Sequence, residues 1–352
     1  MKILIYGEYS GYARSLSKGF KKLGLESSVF SFSGDGWKSI DGDFQLRKGN
    51  NISKLIQLIK LIPKLLSFDY ILIMNPSFMR LTCLGPLILL MAKLKKIKII
   101  LLCAGDDVEF MKQGLKGNLD IWPYMDIELP KNNSFQSLNE KTINYIVAKA
   151  SDKIVPVMYD YAHAWRLSSF AYKVSDTIPL ACDGDYLSKI NKIEPTKKIV
   201  IMHGINREDF KGTKTIKKAL TKIKDEFGDS VEIIYPEKLP LKDYLMLMKT
   251  VDIAIDQTKC YSYGMNAIYS MMAGHITLAP AKDECLEEFQ INSSPIVSIT
   301  NEPDVIYAKI KNLILSKNTD LNKLKIETRN YAVEIHSPEV IAYKFIKLFN
   351  SI

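Results

Sequence analysis

Gly264, Met265 and Asn266 stand where the apolar run Val251–Ile255 and a polar loop give way to helical spacing that ends at Met271-Met272-Ala273-Gly274. A helix opening there would aim unpaired backbone N–H groups and the positive end of its dipole outward, so the chemistry expected is anion binding, with a phosphate as the fitting anion. Glycine at 264 would let a ligand approach the backbone, and Gly274 would close the helix. The same residues also fit an ordinary strand-loop-helix unit. Asp106 and Asp107 follow the apolar run Ile97–Leu102. A carboxylate at such a strand end could orient or deprotonate a hydroxyl, or simply form a turn. His203 ends the run Lys198–Met202, His163 follows Lys153–Val157, and Gly11 with Tyr12 follows the first strand. Each is a candidate contact or a locally satisfied group.

These positions need strands to carry them. Apolar runs recur at Ile3–Tyr6, Ser28–Phe32, Tyr70–Met74, Ile97–Leu102, Lys153–Val157, Lys198–Met202, Val231–Tyr235, Val251–Ile255 and His275–Leu278, with helical periodicity in most intervals. That alternation predicts an α/β protein with parallel sheets covered on both faces. Polar residues at Asp185–Lys197 break the pattern, so two doubly wound domains are expected, 1–188 and 189–335. In the tail, Ser337 reads as an N-cap and Pro338 as the first residue of a last helix, 336–352.

With 352 residues, 47% hydrophobic and 25% charged, the chain can build two cores. Its five cysteines form no CxxC pair, and the N-terminus shows no secretion leader, which predicts a reducing cytoplasm. Leu81–Ala92 is too short to span a bilayer and reads as a buried helix. The net charge of +9 favours an acidic partner: a phosphorylated small molecule, an anionic membrane face or nucleic acid. No nucleic-acid module is evident, so nucleic acid ranks last. Ile52–Leu66 has apolar residues at 52, 55, 56, 59 and 62 beside Lys54, Lys60 and Lys64. It predicts either a helix packed on the first sheet or a basic amphipathic helix resting on an anionic membrane.

Tyr261-Ser262-Tyr263-Gly264 followed by Tyr269-Ser270-Met271-Met272-Ala273-Gly274 resembles the acidic-Gly-aromatic-Gly and Glu-Ala-Met-Ala-x-Gly pattern of GT-B glycosyltransferases, the retaining, nucleotide-sugar-dependent (family 4-like) type. VDIAIDQ and MHGINREDFKGTKTIKKAL resemble segments of a subgroup from bacterial surface polysaccharide synthesis. GEYSGYARSLSKGFKKLGLES, CAGDDVEF, ASDKIVPV and HSPEVIAYKFIKLF are weaker matches in the family's order, spanning nearly the whole chain.

The resemblance implies two Rossmann-like domains facing a cleft, the acceptor held by the first and the donor by the second, with a closing helix that crosses back. It implies an enzyme, a hexosyltransferase-like glycosyltransferase, with a UDP- or GDP-sugar as substrate and no separate cofactor. The acceptor would be a lipid-linked or growing surface glycan, reached at the inner membrane face. Transfer would be retaining and metal-independent, with Lys211 and Arg207 on the donor diphosphate and backbone amides of Gly264, Met265 and Asn266 beside them. Asp107 would act on the acceptor hydroxyl, with Gly11 brought towards the phosphate and acceptor and His203 contacting sugar or phosphate.

Tyr261 and Tyr269 occupy the donor-side positions where the family carries carboxylates. A tyrosine at 269 cannot make the bidentate ribose contact of a glutamate. Two alternatives therefore stand beside transfer: a non-catalytic GT-B subunit that binds a partner transferase or glycan, and a GT-B sugar-nucleotide epimerase.

Overall fold

The computed structural model describes all residues except 33–39, 47–48, 81–83, 131–132, 188–189, 191, 195–196, 238 and 240. The expected domain boundary at 188/189 therefore lies outside the described residues, as does Cys83. The chain divides into two compact units. The first holds Met1–Asp120, Leu129–Ala181 and Pro338–Ile352; the second holds Ile121–Glu128 and Cys182–Ser337.

In the first unit, β1 (Lys2–Tyr6), β2 (Glu26–Ser31), β3 (Phe44–Gln45), β4 (Tyr70–Ile73), β5 (Lys98–Leu101) and β6 (Lys153–Ile154) form one sheet in the order β3-β2-β1-β4-β5-β6. Every pairing is parallel. The apolar runs KILIY, YILI and KIIL supply its buried centre, as expected of strands covered on both faces. Right-handed crossovers put helix Tyr12–Lys22, which joins β1 to β2, on one face. Helices Asn51–Leu65 and Gly85–Leu94 join strands in the opposite direction across the sheet, so they cover the other face. The last helix, Pro338–Phe349, packs on Tyr12–Lys22, with Phe349 stacked on Tyr70 at 4.2 Å and on Phe20 at 5.9 Å.

In the second unit, β7 (Ile199–His203), β8 (Val231–Ile234), β9 (Ile253–Ile255), β10 (Ile276–Ala279) and β11 (Val297–Ser298) form a parallel sheet in the order β11-β10-β9-β7-β8. Ile201, Ile253, Ile255, Ile276 and Leu278 fill its core with Ile216, Leu220 and Ile306 from the helices.

All nine expected strands form. The sequence reading missed β3 and β11, each of two residues at a sheet edge, too short to carry a periodic signal. One helix reading also needs correction. The apolar stretch ending at Ala92 is helix Gly85–Leu94, and it is buried on only one side: Leu87, Leu90 and Leu94 are exposed. Residues 81–83 of that stretch lie outside the described residues. Helix Asn51–Leu65 buries Leu58, Ile62 and Leu65, leaving Ile52, Ile56 and Ile59 in solvent.

Candidate anion-binding site at the β7–β9 switch point

In the second sheet the chain runs outward from β7 to β8, then crosses back to β9 on the other side of β7 and continues away to β10 and β11, and ligands of such sheets lie beyond the strand carboxyl ends where the order reverses. The residues there come from the loops after β7 and β9. His203, the last residue of β7, is fully buried. Its Nδ1 lies 3.0 Å from the Ile255 carbonyl and its Nε2 lies 2.9 Å from Thr213 Oγ1. A carbonyl can only accept, so Nδ1 carries the proton and Nε2 accepts from the threonine. Burial, reinforced by the positive charge of Lys211, lowers the imidazole pKa to about 4. His203 is thus a neutral clamp between β7 and β9 with both nitrogens used inside the fold, and it offers neither to a ligand.

Lys211 ends the short helix Glu208–Lys211 and is 5% exposed. Its Nζ donates to Asp256 Oδ1 at 2.8 Å and to the Gly204 carbonyl at 3.2 Å. Asp256 follows β9, and its Oδ2 accepts from the Gly264 N–H at 3.3 Å. Gly212, next in the chain, has φ 71°, and a Cβ there would sit 2.1 Å from Thr258 Oγ1. Only glycine lets the two loops close over Lys211.

Helix Met265–Met272 opens with Gly264 as N-cap, no side chain capping it and no acid in its first turn. Gly264, Met265 and Asn266 are half-buried. Asn266 Oδ1 accepts from the Tyr244 hydroxyl at 3.0 Å, which fixes the amide at the helix mouth. Gly264 itself has φ −109°, an angle open to any residue, and a Cβ would lie 3.6 Å from Asp256 Oδ2, an ordinary contact. Neither a turn nor packing among the described residues requires glycine here. Gly274 does close the helix, at φ 75°.

Arg207 is exposed, with its guanidinium 3.9 Å from the centroid of the Phe210 ring and bonded to the Tyr124 hydroxyl. Tyr261 and Tyr269, the two positions without carboxylates, are buried at 8% and 1% exposure. Lys282 Nζ lies 5.6 Å from the Tyr261 ring centroid. Tyr269 sits inside the helix packed against Asn318–His336 and β10. The intervening Tyr263 hydroxyl bonds Tyr331 and His336 Nε2, both at 2.8 Å, which anchors the loop in front of the helix.

At its amino end β9 carries a second pair that the sequence reading missed. Asp252 receives the Lys325 ammonium at 2.9 Å and the Val200 N–H at 3.1 Å, both residues being completely buried. Burial lowers the Lys325 pKa, opposed by the Asp252 charge.

The first unit has its own cluster at the strand carboxyl ends. Gly11 is the N-cap of Tyr12–Lys22, and its N–H donates to Glu8 Oε1 at 2.7 Å; the Arg14 N–H donates to Glu8 Oε2 at 3.0 Å. Burial raises the Glu8 pKa to about 7 against these hydrogen bonds. Glu8 stands three residues before the N-cap Gly11 and carries no local capping signal, since the usual caps are Ser, Thr, Asp or Asn at the N-cap itself. Asp107 caps helix Val108–Leu115 through the Phe110 N–H at 2.9 Å and accepts from Trp165 Nε1 at 2.7 Å. Burial raises its pKa to about 7. Asp107 is 2% exposed and both oxygens serve the fold, whereas Asp106 is half-buried. His163 stacks on Tyr159 in the helix Tyr159–Arg166.

No family model matches the chain, and no curated protein does. Solved structures do. HepE of Anabaena, in complex with UDP and glucose, is similar with a TM-score of 0.65 at 12% identity, covering 100% of both chains. Sucrose-phosphate synthase of Thermosynechococcus elongatus matches at 0.63 and 12%, covering 100% of this chain and 99% of the other. The UDP-GlcNAc 2-epimerase of Neisseria meningitidis, bound to UDP-GlcNAc, matches at 0.51 and 14% over 100% of both. Two parallel sheets, each flanked by helices, and these full-length likenesses give the chain the two-domain α/β fold of GT-B proteins.

Proposed function

We propose that the protein is a glycosyltransferase that moves a sugar from a nucleotide-sugar donor to a lipid-linked or growing surface glycan acceptor, with retention of configuration. The observation that carries this reading is the uncapped helix mouth at the switch point, where Gly264 is required by nothing among the described residues. A diphosphate facing Gly264, Met265 and Asn266 would meet oriented amides, and its approach to the backbone would explain the missing Cβ. The solved likenesses include proteins holding UDP with glucose and UDP-GlcNAc.

Arg207 is the exposed cation of the loop after β7, and it would take the diphosphate charge that builds on the leaving group. Lys211 is already paired with Asp256, so its contribution would be to hold the β7 and β9 loops in place and to direct a third N–H outward. Acceptor handling would fall to the first unit, with Asp106 the more open carboxylate of the pair.

Calorimetric titration with UDP-, GDP- and CMP-sugars tests the donor reading. Binding of one class is expected, lost in Gly264→Val while circular dichroism stays unchanged. Binding that survives Gly264→Val sinks this site, and silence across the whole panel sinks the function.

A second reading is isomerisation of a sugar nucleotide in the same site, favoured by the likeness to the 2-epimerase and by tyrosines in place of both carboxylates. Incubating donor without acceptor separates the two, since only an epimerase changes the sugar while leaving the nucleotide bond intact. A non-catalytic GT-B subunit would instead bind a partner transferase or a glycan and turn over no donor.

A further inference from the structure

Helices Asn51–Leu65 and Gly85–Leu94 share one face of the first sheet, and Lys95 Nζ donates to the Leu66 carbonyl at 3.3 Å, tying their carboxyl ends together. Each buries one stripe and turns another to solvent. Ile52, Ile56 and Ile59 are 70%, 48% and 51% exposed; Leu87, Leu90 and Leu94 are 45%, 58% and 75% exposed. Spacings of four and three residues put each trio on one side of its helix. Six large apolar side chains gathered on two neighbouring helices differ from the scattered exposed residues of an ordinary surface.

Charge on this stretch is one-sided. From residue 44 to residue 105 the sequence has ten lysines and arginines and a single acid, Asp69. Lys60 and Lys64 are exposed beside the isoleucine stripe. Lys93 is neutralised by Asp152 at 2.9 Å. Among the described residues no helix is long and apolar enough to cross a membrane.

We propose that this face docks on an anionic lipid bilayer, the two apolar stripes entering the boundary between headgroups and acyl chains while the lysines meet lipid phosphates. Charge selects this occupant. A second copy of the chain would bring lysine against lysine across a self-complementary contact, whereas an anionic bilayer is negative everywhere the face could touch. The surface lies in the first unit and stands independently of the nucleotide reading for the second.

Flotation of the full chain with vesicles of phosphatidylcholine alone, or mixed with phosphatidylglycerol, tests it. Binding is expected only to the mixed vesicles and should be reversed by salt. Ile52→Ser with Ile56→Ser and Leu90→Ser should abolish it. Lys60→Glu with Lys64→Glu should weaken it at least tenfold, each lysine near such a surface being worth about fivefold. All variants alter exposed residues, so circular dichroism and nucleotide affinity should not change. Equal binding to neutral vesicles, no binding, or binding indifferent to both variants overturns the proposal. So does a dimer in solution that the serine variants dissociate, which would give the face to a second copy. Vesicle binding without nucleotide binding would leave this surface standing and remove the donor site.

Discussion

The two units each place a helix after a strand that ends at the switch point of a parallel sheet, and they treat its amino end differently. In the first unit Glu8 fills the mouth of Tyr12–Lys22, accepting the Gly11 and Arg14 amides at 2.7 and 3.0 Å. In the second, no side chain caps Met265–Met272, and the nearby carboxylate of Asp256 is held by Lys211 and reaches only Gly264 at 3.3 Å. The dipoles and free amides are alike in kind. The difference lies in the internal occupant, present at the first mouth and lacking at the second, and glycine in the loop does not by itself tell the two apart.

Removing the ammonium that holds Asp256 should have the largest effect. Lys211→Ala would leave a buried carboxylate with a single weak N–H, at a cost of about 3–5 kcal/mol in urea unfolding. A loss below about 1 kcal/mol would mean that water reaches the pair and that the second mouth is wetter than the geometry shows.

The units should also answer pH in opposite senses. Glu8 goes from 4.5 to about 7 on folding and Asp107 from 3.8 to about 7. The folded first unit therefore binds protons that the unfolded chain has released, and its stability falls as pH rises from about 4 to about 7. For Glu8 alone that is on the order of 3 kcal/mol. His203 and His275 are lowered from 6.5 to about 4 and about 3. There the unfolded chain takes the protons, so the second unit loses stability as pH falls below 6.5 towards those values. Hydrogen exchange, corrected for intrinsic rates, should show β1 and β4 better protected at the acid end and β7 and β9 at the neutral end. Parallel behaviour of the two sheets would contradict this.

Glu8→Ala should convert the first mouth into the second kind. It costs about 1 kcal/mol of helix capping, and sulfate should restore part of the melting temperature. A variant indifferent to sulfate would show that an empty helix mouth is insufficient. The smallest effect is expected for Tyr244→Phe, which removes one neutral hydrogen bond to Asn266 and should cost about 0.5 kcal/mol. Its measurable sign is a modest change in nucleotide affinity in titration, with the first unit untouched.

Much of this frame was legible in the sequence. The strands of continuous aliphatic residues announced parallel sheets, and the helix start at Met265 followed from the loop and glycine before it. The partners of the charged residues were not legible. Lys211 meets Asp256 from 45 positions away, and Lys325 meets Asp252 from 73 positions away. Such pairs depend on strand order, which local spacing does not encode. For His203 the strand-end position was visible, but its two buried acceptor and donor partners, Ile255 and Thr213, come from separate segments. The two faces of helix Asn51–Leu65 were hidden for a different reason. Isoleucine and leucine surround almost its whole circumference, so periodicity could not tell the packed stripe from the exposed one.

The strand β9 has only three residues, IAI, bounded by two aspartates that each find a buried lysine. A two-residue slip of so short a segment along β7 and β10 during folding would keep the pleat but bring an aspartate to the buried position of Ala254. Any slip would pull Asp252 from Lys325 and Asp256 from Lys211 together, stranding buried charges at both ends. The aspartates thus oppose misalignment, and the same Asp256 that holds the Gly264 N–H in front of helix Met265–Met272 also fixes the strand register.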